Sequence, residues 1–105
     1  MYEGDLEIQT GETGGLIVVN VLPLSLYLEG VLPGEMPASF PLEALKAQAI
    51  AARTWFLHNY TRVHKSYPFD VCDDVHCQSY VGKNSSEKIR RAVRETRGQV
   101  LKVGD

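Results

Sequence analysis

Hydrophobic and polar residues alternate in two short stretches near the start of the chain. Leu6 to Gln9 alternates apolar with polar residues, and Leu16 to Leu22 is largely apolar and rich in β-branched side chains. Between them, residues 11–15 include three glycines, which supply the positive φ angles that hairpin loops often require. Pro23 lacks a backbone N–H, so the second strand is expected to end before it. The pattern predicts an N-terminal β-hairpin.

A hydrophobic period of three and four residues then predicts a long helix from about Pro41 to His64. At 100° per residue, the apolar positions of this stretch fall within an arc of about 80°. These positions are Leu42, Leu45, Ala49, Ala52, Phe56, Tyr60 and Val63. Pro41 suits the first position of a helix. We therefore expect a buried central helix.

Shorter elements flank the long helix. Leu24 to Val31 is typical of a short helix, whereas Leu32 to Pro37 contains two prolines and a glycine and predicts an irregular loop. A second helix is expected from a cap at Ser85 to about Arg97, followed by a strand from Gln99 to Val103. The buried stripe of this helix is expected to comprise Ile89, Ala92, Val93 and Thr96. The expected fold class is α+β, with a hairpin, a long buried central helix, a second C-terminal helix and a final strand. We expect residues 1–105 to form a single domain.

Composition and charge exclude several classes of protein. The chain has 105 residues, of which 44% are hydrophobic and 23% charged, values typical of a globular domain and not of a disordered chain. The net charge of -2 argues against a general nucleic-acid binder. Residues 83–105 carry seven Lys or Arg against three acids. A basic helix can meet an anionic polymer, but we interpret this surplus as a solvated helix face.

Glu35 and Arg53 are the first candidates for chemistry. Glu35 lies in the predicted loop between Pro33 and Pro37. Apolar surroundings raise the pKa of a carboxyl group, as a general acid near neutral pH requires. A solvated surface glutamate is the alternative. Arg53 lies near the apolar arc of the long helix, so its guanidinium group either reaches water or pairs with an acid such as Glu35.

A cluster of metal-ligating side chains follows the long helix. Cys72, His76 and Cys77 lie close together in the sequence, and His64 lies upstream. Two thiolates with imidazole groups suit a tetrahedral zinc ion, so these four residues are a candidate structural zinc site. A disulfide between Cys72 and Cys77 and a pair of buried thiols are the alternatives.

Three stretches of the chain resemble the stage II sporulation protein D (SpoIID) family, which includes bacterial amidase enhancers. They are residues 28–54 (LEGVLPGEMPASFPLEALKAQAIAART), 69–80 (FDVCDDVHCQSY) and 92–101 (AVRETRGQVL), in the order that the family has. The resemblance implies a lytic transglycosylase that cuts peptidoglycan glycan strands lacking stem peptides. It aligns Glu35 with the catalytic glutamate and Arg53 with an arginine of the substrate cleft. Some members bind zinc through a similar His/Cys cluster.

The chemistry that the resemblance implies needs only one carboxyl group. Most glycoside hydrolases use two. In a lytic transglycosylase, the C6 hydroxyl of muramic acid attacks the anomeric carbon while the single acid protonates the leaving oxygen. The same carboxylate takes the hydroxyl proton, and the product carries a 1,6-anhydro end.

The resemblance also implies a second class of function and a setting. The alternative is a non-catalytic module that binds peptidoglycan and stimulates a cell-wall amidase, with other sporulation envelope proteins as further partners. Either role implies an extracytoplasmic location in the cell envelope, in a secreted or membrane-anchored protein. The family domain is longer than this chain, so we expect a C-terminally truncated domain. The final strand would then have an unpaired edge, which favours dimerisation.

Overall fold

The computed structural model describes residues 4–10, 14–60, 70–72, 78–82 and 86–102. Within these residues, two strands precede three helices. This architecture confirms the α+β class. None of the described helices is both long and apolar enough to cross a membrane.

The N-terminal hairpin is formed as predicted. Strands β1 (Asp5–Thr10) and β2 (Leu16–Val21) pair antiparallel. Directly opposed residues share a face of the sheet, so the register places four apolar side chains on one face. They are Leu6, Ile8, Leu16 and Val18, and each is more than half exposed. In the connecting loop, Gly14 has a φ of 88°.

The first helix is longer than the sequence predicts. Helix α1 spans Leu24–Glu35 and contains Pro33, so the loop expected over residues 32–37 is wrong for its first four residues. Proline inside a helix removes one hydrogen bond and costs about 3 kcal/mol. The burial of Leu28 and Leu32, both with no exposed surface, offsets this cost because each such side chain contributes about 1.5–3 kcal/mol. The helix ends at Met36, whose N–H donates to Leu32 O at 2.8 Å.

The central helix is confirmed over Leu42–Asn59 (α2). Pro41 directly precedes it, and the carbonyl oxygen of Pro41 accepts from Leu45 N at 3.1 Å. The buried positions include Leu45, Ala49 and Ala52, members of the predicted apolar arc. The last residues of the prediction, up to His64, fall in 61–69 and lie outside the described residues.

The second predicted helix is α3, Glu87–Glu95. Its N-cap is Ser86, one residue after the expected Ser85, and Ser86 Oγ accepts from Ile89 N at 3.3 Å. The predicted buried stripe is confirmed by Ile89, Ala92 and Val93. Gly98 follows the last turn with a φ of 78°, which is the glycine conformation expected after a helix.

The strand expected over Gln99–Val103 is absent from residues 99–102, which belong to no helix or strand. Side chains of α2 bind this backbone instead. Arg53 Nη1 donates to Gln99 O at 2.9 Å, and Leu101 N donates to Thr54 Oγ1 at 2.9 Å. A neighbouring strand would need the same backbone groups. The dimer predicted through an edge at this segment stays a prediction.

The three helices share one core. Its side chains come from α1, α2 and α3 and are Tyr27, Leu28, Val31, Leu32, Leu45, Ala49, Ala52, Ile89, Ala92 and Val93. Residues 78–82 lie against α1, where Val81 N donates to Gly30 O at 2.9 Å. This arrangement places residues 78–82 beside the C-terminal end of α1.

Candidate active site around Glu35

Glu35 is the last residue of α1, and its side chain is exposed. It therefore lies at a helix end, and the apolar enclosure expected from the sequence is wrong. The physical reason is that Glu35 lies beyond Leu32, the last buried residue of α1. Glu35 Oε1 accepts a hydrogen bond from Ser79 N at 3.1 Å. The backbone of a segment distant in the sequence thus binds the carboxylate.

Glu35 lines an open groove of about 460 Å³ between α1, α2 and residues 78–79. The groove is lined by Gly34, Glu35, Gln48, Ala51, Ala52, Trp55, Gln78 and Ser79. Small alanine side chains of α2 leave room beside the carboxylate. Trp55 supplies an aromatic ring and an N–H donor, and the glutamine side chains carry amide groups that donate and accept. Among the described residues that line the groove, Glu35 is the only acid.

Arg53 does not line this groove. Its side chain is 5% exposed and reaches the C-terminal end of α3. Nη1 donates to Thr96 O at 2.8 Å and to Gln99 O at 2.9 Å, and Nη2 donates to Val93 O at 3.4 Å. Burial lowers the pKa of the Arg53 guanidinium group.

Arg53 therefore does not pair with Glu35 in this structure, and its contact with a substrate stays a prediction. A buried arginine needs acceptors, and the carbonyl groups at the end of a helix lack partners within that helix. The negative end of the helix dipole also favours a cation at this position. Arg53 thus binds the C-terminal end of α3 to α2, and we interpret its role as stabilising the fold beneath the groove.

A larger cleft of about 770 Å³ lies between the hairpin and the helices. Four aromatic residues line it, and neighbouring rings contact one another: two of the pairs are stacked, and the Tyr27–Phe56 pair is tilted by 50°. The ring of Tyr27 lies 5.4 Å from that of Tyr80 and 5.3 Å from that of Phe56, which lies 5.2 Å from Tyr60. Phe56 and Tyr60 are four residues apart on the predicted apolar arc. Their periodicity predicts core positions, whereas the structure places them along a cleft.

Of the four predicted zinc ligands, only Cys72 is described, and it is half-buried beside the larger cleft. His64, His76 and Cys77 lie outside the described residues. The described part of the chain holds no group of three or more His, Cys, Asp or Glu side chains that could bind a metal ion. The zinc site and the Cys72–Cys77 disulfide both stay predictions.

Residues 12–102 match the SpoIID family model, which is described as stage II sporulation protein. This chain belongs to the SpoIID family. The SpoIID-family chain is 44% identical over 75 residues to the amidase enhancer of Bacillus subtilis (strain 168), covering 71% of this chain and 10% of that protein. It is 33% identical over 116 residues to stage II sporulation protein D of Bacillus amyloliquefaciens, covering 96% of this chain and 33% of that protein.

A third relative of the SpoIID-family chain is an uncharacterised protein of Brachyspira hyodysenteriae (strain ATCC 49526 / WA1). It is 42% identical over 86 residues, which are 81% of this chain and 23% of that protein. The chain thus spans between about a tenth and a third of the length of these three relatives.

The sequence patterns do not predict most of the residues that line the groove around Glu35. Gln48 and Trp55 lie on the predicted central helix, at positions outside its apolar arc. Gln78 and Ser79 belong to the second family-like stretch, residues 69–80. Membership of a motif was the available signal for Gln78 and Ser79. No local pattern indicates that they contact α1.

Proposed function

We propose that this chain is a peptidoglycan lytic transglycosylase domain that acts in the cell envelope, with Glu35 as the acid and base. The observation that carries the proposal is the placement of Glu35, an exposed carboxylate on an open groove with one oxygen bound by Ser79 N. Membership of the SpoIID family supports a role in cell-wall processing during sporulation. A site outside the cytoplasmic membrane follows from that role.

Glu35 acts in two steps in this proposal. The protonated carboxyl group donates its proton to the glycosidic oxygen, and the bond between that oxygen and the anomeric carbon breaks. The C6 hydroxyl of the muramic acid attacks the anomeric carbon, and the Glu35 carboxylate takes the hydroxyl proton. Two-carboxyl enzymes need a second acid about 5–9.5 Å from the first. The lack of another acid among the described groove residues is consistent with the one-carboxyl route.

Trp55 and Gln48 supply the glycan contacts in this proposal. Both face the groove from α2, next to the alanines that form its wall. An aromatic ring presents an apolar surface that suits the C–H face of a sugar, while a glutamine amide both donates to and accepts from hydroxyl groups. The substrate class in this proposal, a glycan strand without stem peptides, is the one that the family resemblance implies. Arg53 supports the wall from inside the core.

Glu35→Gln tests the proposal in the protein at its natural length. Loss of a general acid–base group typically costs about 10²–10⁴ in rate, so the variant should leave almost no 1,6-anhydro-muramic ends in denuded glycan strands analysed by mass spectrometry. Glu43→Gln is the matched control, because Glu43 is an exposed acid in the first turn of α2. It should cleave at the wild-type rate. Wild-type cleavage by Glu35→Gln would refute the assignment.

The second candidate is a non-catalytic module that binds peptidoglycan and stimulates a cell-wall amidase. The 44% identity to a protein named amidase enhancer favours it. The same digestion separates the two functions. If the glycan stays intact and the chain raises the rate of a purified amidase, the amidase-stimulating function replaces the transglycosylase assignment. Zinc, if bound by Cys72, Cys77, His76 and His64, would have a structural role in either case.

A further inference from the structure

We infer that residues 78–82, here called the docked segment, position Glu35 for catalysis through the backbone N–H of Ser79. The inference rests on the proposed function and assigns a role to a group outside α1 and α2. Ser79 N lies 3.1 Å from Glu35 Oε1. The N–H holds Oε1, and Oε2 is the oxygen that carries and accepts the proton. Ser79 is a positioning residue because it acts through Glu35.

Two glycines of α1 allow the docked segment to lie this close. A Cβ at Gly34 would lie 2.9 Å from Ser79 Cβ and 3.0 Å from Ser79 O. A Cβ at Gly30 would lie 2.8 Å from Gly82 O and would also meet the ring of Tyr80. The two glycines are four residues apart, so they lie on the same face of the helix. This bare face is where the docked segment contacts α1.

Contacts other than that with Glu35 also fix the docked segment. Val81 N donates to Gly30 O at 2.9 Å. Tyr80 stacks on Tyr27 and its hydroxyl donates to Asn20 Oδ1 at 2.5 Å. The location of the Ser79 amide is therefore set by the hairpin and by α1, whether or not Glu35 binds it.

A second side chain fixes the segment immediately before Ser79. Gln78 is buried, and its Nε2 donates to the hydroxyl oxygen of Tyr27 at 3.3 Å. The amide of Ser79 is thus held between two residues, Gln78 and Tyr80, that both contact Tyr27. A rigid donor of this kind can orient a flexible carboxylate.

Orientation matters because a general acid must lie within hydrogen-bond reach of its proton acceptor, about 2.6–3.2 Å. A free glutamate side chain samples several rotamers, and a displacement of about 1 Å can reduce the rate about 10²-fold. The backbone N–H keeps its own proton throughout the reaction. The Ser79 side chain is not required for this role, so variants at position 79 can separate the effect of the N–H from that of the side chain.

Ser79→Pro and Ser79→Ala separate the N–H from the side chain. Proline removes the donor, so kcat for glycan cleavage should fall about 10–100-fold with KM unchanged. Alanine keeps the donor, so Ser79→Ala should lose much less kcat than Ser79→Pro. Equal losses in both variants, or a wild-type kcat in Ser79→Pro, would overturn the inference.

Gly34→Ala is the second kinetic variant and covers a failure of Ser79→Pro to fold. Alanine favours a helix interior by about 1 kcal/mol over glycine, so α1 should persist in circular dichroism. The new Cβ should displace Ser79 and lower kcat by a similar factor at constant KM. An unchanged kcat would count against the inference.

Nuclear magnetic resonance tests the contact without any activity. The Ser79 amide proton should move upfield in Glu35→Ala, which removes the acceptor, and should keep its position in Glu43→Gln. An unchanged Ser79 signal in Glu35→Ala would refute the positioning role. If the contact is seen while the wild-type protein produces no anhydro ends, the transglycosylase assignment fails and the contact stands.

Discussion

The guanidinium group of Arg53 lies between α2 and the C-terminal turn of α3, and its donors end on backbone carbonyl groups. The carbonyl groups belong to Val93, Thr96 and Gln99. Hydrogen bonds with a charged partner contribute about 1.5–3 kcal/mol each. Thr96 is itself buried, and its hydroxyl donates to Ala92 O at 2.8 Å. At the scale of single residues, Arg53 stabilises the fold and Glu35 faces the groove.

Arg53→Ala should therefore lower the free energy of unfolding by about 2–4 kcal/mol, because it leaves buried carbonyl groups without a donor. Urea denaturation of the chain measures the change. Arg53→Lys is the conservative control. Its free energy of unfolding should lie between those of wild type and Arg53→Ala, since lysine keeps the charge and loses the planar set of donors. Wild-type stability combined with lost cleavage in Arg53→Ala would return Arg53 to the substrate-binding role that the family resemblance implies.

An acidic side chain near each end of helix α3 forms ion pairs. Glu95 forms ion pairs with Arg91 and, at 3.4 Å, with Lys46 of α2. Glu87 pairs with Arg90 at 3.0 Å. The hydrogen bond from Arg91 lowers the pKa of Glu95, and the hydrogen bond from Arg90 lowers the pKa of Glu87. The Glu95–Lys46 pair links α3 to α2 on the surface, whereas the other two pairs lie within α3. The shared core links the two helices inside.

The pH dependence of stability should follow from these lowered pKa values. The unfolded chain takes up protons on Glu95 and Glu87 before the folded chain does, so their stabilisation is complete above the unfolded pKa of about 4.3. It is lost as the pH falls through the lower folded values. Thermal unfolding of wild type and Glu95→Gln across this range should show a weaker loss on acidification in the variant.

Salt concentration provides the control for this pH effect. The carboxylates are on the surface, so the difference between wild type and Glu95→Gln should shrink in about 1 M salt, where the screening length is about 3 Å. Identical pH profiles for the two proteins at low salt would show that the ion pairs of Glu95 do not stabilise the fold.

Across the described part of the molecule, the groove of Glu35 and the larger aromatic cleft lie on either side of the docked segment. Gln78 and Ser79 line the groove of Glu35, while Tyr80 lines the larger aromatic cleft. Cys72 lies at that cleft, and residues 73–77 connect it to the docked segment along the chain. Two of the predicted zinc ligands, His76 and Cys77, thus directly precede the docked segment in the sequence.

Zinc analysis tests this part of the molecule. Protein purified without a chelator should carry about one equivalent of zinc if Cys72, Cys77, His76 and His64 bind it. Removal of the metal should then lower the melting temperature, because metal binding is coupled to folding. Cys72→Ser should reduce the zinc content. Less than about a tenth of an equivalent, with no reactive thiols, would favour the Cys72–Cys77 disulfide instead.

The helices and strands that depend on neighbouring residues in the sequence could be predicted from the sequence alone. The glycine-rich loop and the β-branched stretch after it were enough for the hairpin, and the period of apolar residues was enough for α2 and α3. Pro33 shows the limit of this reasoning. Its local effect argues against a helix, and only the burial of Leu28 and Leu32 against other elements decides the outcome.

Tertiary structure alone decided the surroundings of the two candidate site residues. Glu35 meets a backbone amide 44 residues away, and Arg53 meets a carbonyl group 43 residues away. Periodicity reports only neighbours within a turn or two, so it could not assign either partner. Gly34 contributed to the prediction of a loop, because glycine is unfavourable inside a helix. Its advantage exists only once the docked segment lies against that face, because a side chain there would collide with it.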